Sequence, residues 1–483
     1  MKVTGASQRF DSHKIHGVFD RLTLLTQLYV YPVKALRGIA LSTAELDPQG
    51  VRYDRRFMLL TTARNKEQTL KKMQLSSFPE CALFSQEIAD AKDGPSQTNG
   101  GSKDVIVHYH PPEKRLASDL PPHNATKIAE TKWSGMSPVQ HPPLRIPLDP
   151  CYSSLVPLDI NLHGSPARSY RMGEPYDAWF SACFGFDVVL VYIGDGQRPV
   201  LGETLKSGVP GPKEMAAKKN VSAVPPSRGP FQVVVSLLVG LWLTLLVALG
   251  IRSRQPKKPD EPWIAFSDCA PLLVTTESSL RNVSARMSEG IEVPMYKFRP
   301  NIVVDGEGEE AWAEDFWGEL TVTRKTASRG TSASSVPSLS RASSTSSVAS
   351  SALSAADSEG VSDQLPDKIS NRERPRSVRL LLTSNCARCS SLNVDYATGM
   401  QAAGELGEVL KRLSKDRRVD PGTKYSPVFG RYAFLGQPDN ETSSEESFAA
   451  DDDHEGAIRI SVGDNVTVAR RNAERTVWDW PNL

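Results

Sequence analysis

The first third of the chain is a series of short β-strand-like runs that are separated by turn signals. Leu28 to Lys34 alternates in the manner of a strand and is punctuated by Pro32. Two further runs, Leu41 to Leu46 and Arg56 to Thr61, lie on either side of the turn signal Asp47-Pro48-Gln49-Gly50. Short strands with frequent turns favour a β-barrel or a β-sandwich.

The rest of the chain adds more strands and a few helices, so the predicted fold class is mainly β with helices (α+β). Residues 278 to 287 place apolar side chains three and four apart, as an amphipathic helix does. The further predicted strands are 105–109, 188–193, 269–275, 301–304, 378–382, 425–435 and 458–468, and the other predicted helices are 176–186 and 404–413.

Long polar inserts divide the predicted elements. Residues 323–377 are rich in serine and alanine and contain almost no large apolar side chain, so we predict that this insert is disordered. The predicted organisation is a leader (1–24), a first β domain with loop inserts (25–195), a linker (196–260), a second β domain (261–468) and a tail (469–483).

One segment of the linker is strongly apolar. Residues 231–251 contain no charged side chain and are long enough to cross a bilayer as a helix. Basic residues flank both of its ends, which is typical of membrane-associated segments. The sequence therefore predicts a transmembrane or interfacial helix and membrane association.

Cys386-Ala387-Arg388-Cys389 is the stretch with the clearest chemistry. A thiolate is a ligand for soft transition metals, and a neighbouring arginine favours the thiolate over the thiol. The other cysteines, at positions 81, 151, 183 and 269, are scattered, which argues against a zinc site or an iron–sulfur cluster. Few cysteines indicate a reducing, intracellular compartment. The net charge of +1 gives no argument for nucleic acid binding.

Seven motifs in order make the chain similar to one family. The chain resembles the MOSC-domain molybdenum cofactor proteins, and within them the mitochondrial amidoxime-reducing component. The matching motifs are Tyr31-Pro32-Val33-Lys34, Tyr53-Asp54-Arg55-Arg56-Phe57-Met58, Ala270-Pro271-Leu272-Leu273 with Ser278-Ser279-Leu280, Phe298-Arg299-Pro300-Asn301-Ile302-Val303-Val304, Ala313-Glu314-Asp315-Phe316-Trp317, Cys386-Ala387-Arg388-Cys389 and Tyr425-Ser426-Pro427-Val428-Phe429-Gly430.

The resemblance implies a fold and a cofactor. The first domain would be the MOSC N-terminal β-barrel subdomain and the second the MOSC β-barrel. The cofactor would be a molybdenum pterin dithiolene that ends in a phosphate, and Cys389 matches the thiolate that ligates molybdenum and is the predicted catalytic residue. The positions that match those around the cofactor in the family are Lys34, Arg55, Thr276, Arg299, Asn301, Asn385 and Arg388. Cys386 and Trp317 are expected to be structural, and Arg56 to be solvated.

The resemblance also implies an activity. The protein would be a molybdenum-dependent oxidoreductase that reduces N-hydroxylated substrates, such as amidoximes, by removing an oxygen atom at molybdenum. A b-type cytochrome and its NADH-dependent reductase would supply electrons, at the mitochondrial outer membrane. Two alternatives stay open. One is a sulfur-carrier or cofactor-maturation protein, although we find no pyridoxal phosphate domain of the kind that cofactor sulfurases carry. The other is a non-catalytic, membrane-associated MOSC scaffold.

The chain departs from the family pattern in several places. Ala35 replaces a small hydroxyl residue, and the insert 323–377 stands where relatives have a short link. The segment 231–251 lies between motifs that must share one site. It would therefore be an anchor that enters and leaves the membrane on one side, a span that prevents the fold, or sequence that is absent from the mature protein.

Overall fold

The computed structural model describes residues 23–62, 70–89, 103–112, 142–206, 262–325, 377–436 and 458–481. The predicted apolar segment 231–251 lies outside the described residues, as do almost all of the leader and of the insert 323–377. Within the described ranges, no helix is both long enough and apolar enough to cross a membrane.

The described residues form 23 strands and four α-helices, together with short 3₁₀ turns. The strands are β1 (Thr23–Val30), β2 (Ile39–Leu41), β3 (Thr43–Asp47), β4 (Gly50–Val51), β5 (Phe57–Thr62), β6 (Leu70–Lys72), β7 (Phe84–Ala89), β8 (Asp104–Tyr109), β9 (Leu144–Pro147), β10 (Val156–Leu162), β11 (Ser165–Arg171), β12 (Val188–Tyr192), β13 (Arg198–Pro199), β14 (Trp263–Ile264), β15 (Leu272–Thr276), β16 (Ile302–Val304), β17 (Trp317–Thr323), β18 (Ser377–Ala387), β19 (Val394–Asp395), β20 (Met400–Gln401), β21 (Val428–Leu435), β22 (Ile458–Ser461) and β23 (Asn465–Arg471). The α-helices are α1 (Tyr176–Phe184), α2 (Glu203–Lys206), α3 (Glu277–Ser284) and α4 (Val409–Leu413), and the 3₁₀ turns are Pro79–Leu83, Tyr152–Ser154, Met295–Phe298, Ala313–Phe316, Ser390–Asn393, Gly404–Gly407 and Pro421–Thr423.

Seven strands close into a barrel. Their order is β16-β15-β21-β18-β17-β23-β1, and β1 pairs with β16 to complete the ring, while β2 extends β1 on the outside. The alternation of β1 puts Leu25, Leu28 and Val30 into the buried core of the barrel, where Leu380 and Trp317 also lie. Closure leaves the ring without free edges, and its interior is filled with side chains.

A second core lies against the barrel. The five-stranded sheet β10-β11-β12-β5-β6 and the three-stranded sheet β7-β8-β9 enclose it together with α1. Phe57, Phe84 and Phe180 are fully buried there, and the Phe84 and Phe180 rings lie 5.8 Å apart. Two β-barrel domains with few helices were predicted, and the mainly β fold confirms that prediction.

The observed bounds differ from the predictions where backbone geometry ends an element early. The helix predicted at 176–186 ends at Phe184, because Gly185 adopts a left-handed φ of 75° and caps it. The helix predicted at 404–413 is a 3₁₀ turn followed by α4, since Gly404 and Glu408 have non-helical backbones. The strands β15 (Leu272–Thr276) and β21 (Val428–Leu435) begin three residues later than predicted, whereas β18 (Ser377–Ala387) begins one residue earlier.

The two ends of the described chain are part of the fold. Thr23 and Leu24 pair with β23, although the leader was predicted to extend to residue 24. The predicted tail begins inside β23, and beyond it Trp478 and Trp480 are 5 % and 3 % exposed. Both indoles belong to a buried apolar cluster that includes Val200, Ile264 and Tyr432, and this burial contributes to holding the C-terminal segment in place.

Candidate functional site

A cleft lies between the barrel and the first β domain. Segments that are far apart in sequence line it: the residues after β1, the turn before β5, the segment before β15, the segment before β16 and the end of β18. Its empty volume, counted out to the open mouth, is about 820 Å³. The predicted site residues that line it are Lys34, Arg55, Arg299, Asn301, Arg388 and Cys389.

Arg55 and Arg299 both pack against one aromatic ring. Their guanidinium carbons are 4.6 and 4.4 Å from the centroid of the Tyr31 ring, a cation–π geometry. Arg55 pairs with Asp54 and donates to Asn301 Oδ1 at 3.1 Å, and Arg299 donates to the Leu36 carbonyl at 2.8 Å. The two arginines are therefore held in fixed directions before any ligand arrives.

Three lining residues have a left-handed backbone that is rare for residues other than glycine. Ala35 has a φ of 75°, Arg55 of 49° and Arg299 of 54°. Such conformations cost energy and concentrate at functional sites, where the surrounding structure maintains them. The strain therefore supports this cleft as the functional site, independently of the charges in it.

Lys34 is the buried cation of the cleft. Its side chain is 8 % exposed, it pairs with Asp268, and its Nζ donates to the Phe266 carbonyl at 2.9 Å. Burial lowers the pKa of Lys34 to about 8, and the charge of Asp268 opposes that shift. Among the lining residues that the structure describes, Asp268 is the one carboxylate.

The cysteine motif lies at the end of β18 and lines the cleft. Cys389 is exposed, and its Sγ lies 3.2 Å from the Ser391 hydroxyl. Arg388 does not point at Cys389. Its guanidinium donates to Cys386 Sγ at 3.1 Å and to the Phe298 carbonyl at 2.7 Å, so it supports the buried cysteine of the pair. The expectation that Cys386 and Trp317 are structural agrees with their exposures of 4 % and 0 %.

Thr276 and Asn385 are the two predicted site residues that the structure does not bring into the cleft. Thr276 is the N-cap of α3, accepting from the Ser279 amide at 3.1 Å and donating to Glu314 at 3.2 Å. Asn385 accepts from buried Arg431 at 2.6 Å. Both side chains therefore form hydrogen bonds within the barrel wall. Arg56, expected to be solvated, instead donates to the Tyr192 hydroxyl at 3.2 Å.

Sequence reasoning missed several polar residues of the cleft, among them Ser267, Asp268 and Ser391. Ser267 and Asp268 lie a few residues before the apolar strand β15, and Ser391 follows the cysteine motif by two residues. A polar pair shortly before a matched motif was the available signal for the first two. No comparable signal marks Ser391, since it stands in a serine-rich context.

The donor set of the cleft fits an anionic, phosphate-bearing cofactor. Four cations line it, and guanidinium and ammonium groups are the side chains that bind phosphate. Within the described part of the chain, the buried Ser267 hydroxyl and Arg388 Nε have no hydrogen-bond partner. Unpaired buried donors beside an open cleft are what a missing ligand would satisfy. The exposed thiol of Cys389 is available to a metal.

Comparisons with known proteins agree with this architecture. Residues 22–136 match the model of the MOSC N-terminal beta barrel domain, and residues 261–334 match that of the MOSC domain. Relatives include mitochondrial amidoxime-reducing component 1 of Danio rerio, 24% identical over 179 residues, and that of Homo sapiens, 26% identical over 179 residues. Mitochondrial amidoxime reducing component 2 of Macaca fascicularis is 42% identical over 71 residues.

These matches are partial. The alignment covers 37% of this chain and 37% of the Danio rerio protein, 36% and 35% for the human protein, and 15% and 20% for the Macaca fascicularis protein. The chain thus spans about a third of the length of the first two relatives. The residues that the two domain models match do not include His163, Arg388 and Cys389. The chain contains a MOSC N-terminal beta barrel domain and a MOSC domain, and its sequence is similar to those of mitochondrial amidoxime-reducing components.

Proposed function

We propose that the protein binds a molybdenum pterin cofactor in the cleft and reduces N-hydroxylated substrates with electrons from an external donor. The single observation that carries this proposal is the convergence of four cations and one exposed thiol on a cleft between the two domains. The names of the similar proteins, amidoxime-reducing components, support the substrate class.

Each residue has a defined task in this proposal. Lys34, Arg55 and Arg299 would bind and orient the anionic end of the cofactor, because the first is buried and the other two are fixed on Tyr31. Cys389 would supply the thiolate ligand of the metal, and the buried Arg388–Cys386 contact would hold the loop that carries it. When bound, the cofactor would supply the two-electron oxygen-atom chemistry that no side chain can perform.

The electron donor is proposed from the family resemblance of the sequence, and the location from the names of the relatives. We propose a b-type cytochrome with its NADH-dependent reductase as the donor, and a mitochondrial location, because the similar proteins are named mitochondrial.

Turnover with an amidoxime tests the proposal. The full chain, produced in a host that synthesises the cofactor, should reduce the amidoxime to the amidine with a chemical reductant as electron source. Cys389→Ser should keep the fold and abolish turnover, because the hydroxyl is a poor ligand for this metal. Cys151→Ser, which changes an exposed cysteine outside the cleft lining, should retain wild-type turnover. Full activity of Cys389→Ser would remove this thiol from the mechanism.

A further inference from the structure

His163 lies in the turn between β10 and β11 and is fixed there from two directions. Its backbone has a left-handed φ of 59° and that of Gly164 a φ of 79°, as a two-residue type I′ hairpin turn requires. The indole N–H of Trp480, in the C-terminal segment, donates to the His163 carbonyl oxygen at 2.8 Å. The side chain is 15 % exposed. A largely buried imidazole whose residue is held in place by a distant segment is a candidate for a functional role.

The imidazole of His163 connects a surface lysine to the carboxylate of the cleft. Lys72 Nζ lies 3.1 Å from Nδ1, and Nε2 lies 3.3 Å from Asp268 Oδ1. Lys72 Nζ also lies 3.5 Å from Nε2, so the ammonium group lies against the ring and does not select one nitrogen. Because a carboxylate can only accept, Nε2 carries the proton that is donated to Asp268. The same Oδ1 contacts Lys34 Nζ. A continuous chain of contacts therefore runs from Lys72 through His163 and Asp268 to Lys34.

The charges around this chain define its response to pH. Burial lowers the pKa of His163, Asp268 opposes the shift, and Lys34 and Lys72 add to it, so the imidazole is neutral at neutral pH. Lys34 faces Asp268, Arg55 and Arg198, and it loses its proton as the pH rises through about 8. Its charge at neutral pH thus depends on Asp268 staying in contact.

We propose that His163 is a positioning residue for the cleft, which holds the Asp268 carboxylate against Lys34 and thereby sets the affinity of the cleft for a phosphate-bearing ligand. The Asp268 side chain is 55 % exposed and, without the imidazole donor, would be free to turn into water. Lys34 would then lose the charge that offsets its burial. This inference deepens the proposed function and rests on it for the nature of the ligand.

Sulfate binding to the cofactor-free full chain tests the inference. Calorimetric titrations between about pH 6 and about pH 10 cover the titration of a buried lysine, while sulfate keeps a constant charge. Wild-type affinity should fall with a midpoint near 8, where Lys34 deprotonates. In His163→Gln the midpoint should move to lower pH, and affinity at about pH 8 should weaken about fivefold, the size of one lost hydrogen bond. His110→Gln, at an exposed histidine that contacts Ser85, is the matched control and should behave as wild type.

A second measurement uses the unaltered protein, in case His163→Gln does not fold. Nitrogen NMR of labelled histidine should show His163 as the neutral tautomer with its proton on Nε2. A proton on Nδ1 would overturn the inference, as would an unchanged sulfate midpoint in folded His163→Gln or a wild-type protein that binds no sulfate.

Molybdenum content of cofactor-loaded preparations separates the two proposals. A shifted sulfate midpoint in a protein that acquires no molybdenum would support the positioning role and contradict the proposed function. An unshifted midpoint in a protein that does acquire molybdenum would overturn the positioning role alone.

Discussion

At the residue scale, the barrel wall contains a buried glutamate, Glu314, that does not line the cleft. Glu314 is fully buried, and its Oε2 accepts from Thr276 at 3.2 Å and from Ser279 at 2.8 Å. Its Oε1 has no hydrogen-bond partner among the described residues. Burial raises the pKa of Glu314 to about 7, and the neighbouring charge of Asp315 adds to the shift. The group is therefore a source of pH-dependent stability rather than of catalysis.

The sign of this dependence follows from linkage. Between the unfolded pKa of about 4.5 and the folded pKa of about 7, the folded state holds a proton that the unfolded state has released, so stability falls as pH rises. Glu314→Gln removes the ionisation. We expect the variant to be about 2 kcal/mol more stable than wild type at about pH 8, after the cost of an unpaired amide, with no gain at about pH 5.

Urea unfolding at both pH values measures this difference. Glu310→Gln changes an exposed glutamate four residues away and should leave stability unchanged at either pH. Equal stability of Glu314→Gln and wild type at about pH 8 would contradict the buried, raised-pKa account of Glu314.

At the element scale, the pairing of β21 with β15 and β18 decides where the cysteine motif lies. β18 pairs with β21 through two irregularities, the second between Asn385 and Ala387, directly before the motif. An irregularity of this kind bends the strand that contains it and changes the direction of the following residues. The sequence predicted both strands, but the irregularities that aim Cys389 at the cleft depend on contacts with the neighbouring strand, which no local pattern encodes.

Gly430 is the residue of β21 at which this pairing is most sensitive. It has a φ of 79°, and a Cβ there would lie 2.8 Å from Thr275 Cγ2 and 2.8 Å from the Val274 carbonyl of β15. Gly430→Ala should therefore cost the left-handed strain of about 1 kcal/mol and, in addition, about 1–3 kcal/mol for the clash with β15.

Gly404→Ala is the matched control for this substitution. Gly404 has a φ of 61° with nothing within 4 Å of an added Cβ, so the change there isolates the strain. Urea midpoints of the two variants measure the difference. Equal losses of stability at the two positions would show that β21 moves away from β15 at no cost.

The difference between local sequence motifs and packing between elements explains how much of the site could be predicted. Lys34, Arg55, Arg299, Asn301, Arg388 and Cys389 were predicted through motifs, and the structure brings all six to the cleft. Thr276 and Asn385 lie beside matched motifs and not in them, and in the structure Thr276 Oγ1 caps α3 while Asn385 Oδ1 accepts from Arg431. A motif identifies a position along the chain, whereas the partner of each polar atom is set by packing between elements.

At the scale of the whole molecule, strands from near both ends of the described chain, β1 and β23, pair with each other in one barrel. β1 near the N-terminus pairs with β16 and β23, so the cleft requires residues 34 and 55 to meet residues 299 and 389. Strand β13 also pairs with β14, with Arg198 opposite Ile264 and Pro199 opposite Trp263. The described residues on the two sides of 207–261 are therefore paired with each other.

This pairing bears on the apolar segment 231–251. A single crossing of a bilayer would separate β13 from β14 and the first domain from the barrel. The described structure therefore requires the residues on both flanks of the segment to lie in one fold. Hydropathy alone could not show this, since it carries no information about which distant strands pair.

Molybdenum content is the measurement that most directly tests whether the cleft binds the cofactor. Purified full-length protein from a host that makes the cofactor should contain molybdenum in a nearly one-to-one ratio by elemental analysis. Cys389→Ser should contain less, or should retain the metal with an altered spectrum, because the thiolate has been removed. Well-folded wild-type protein without molybdenum would contradict the cofactor site and favour a non-catalytic scaffold.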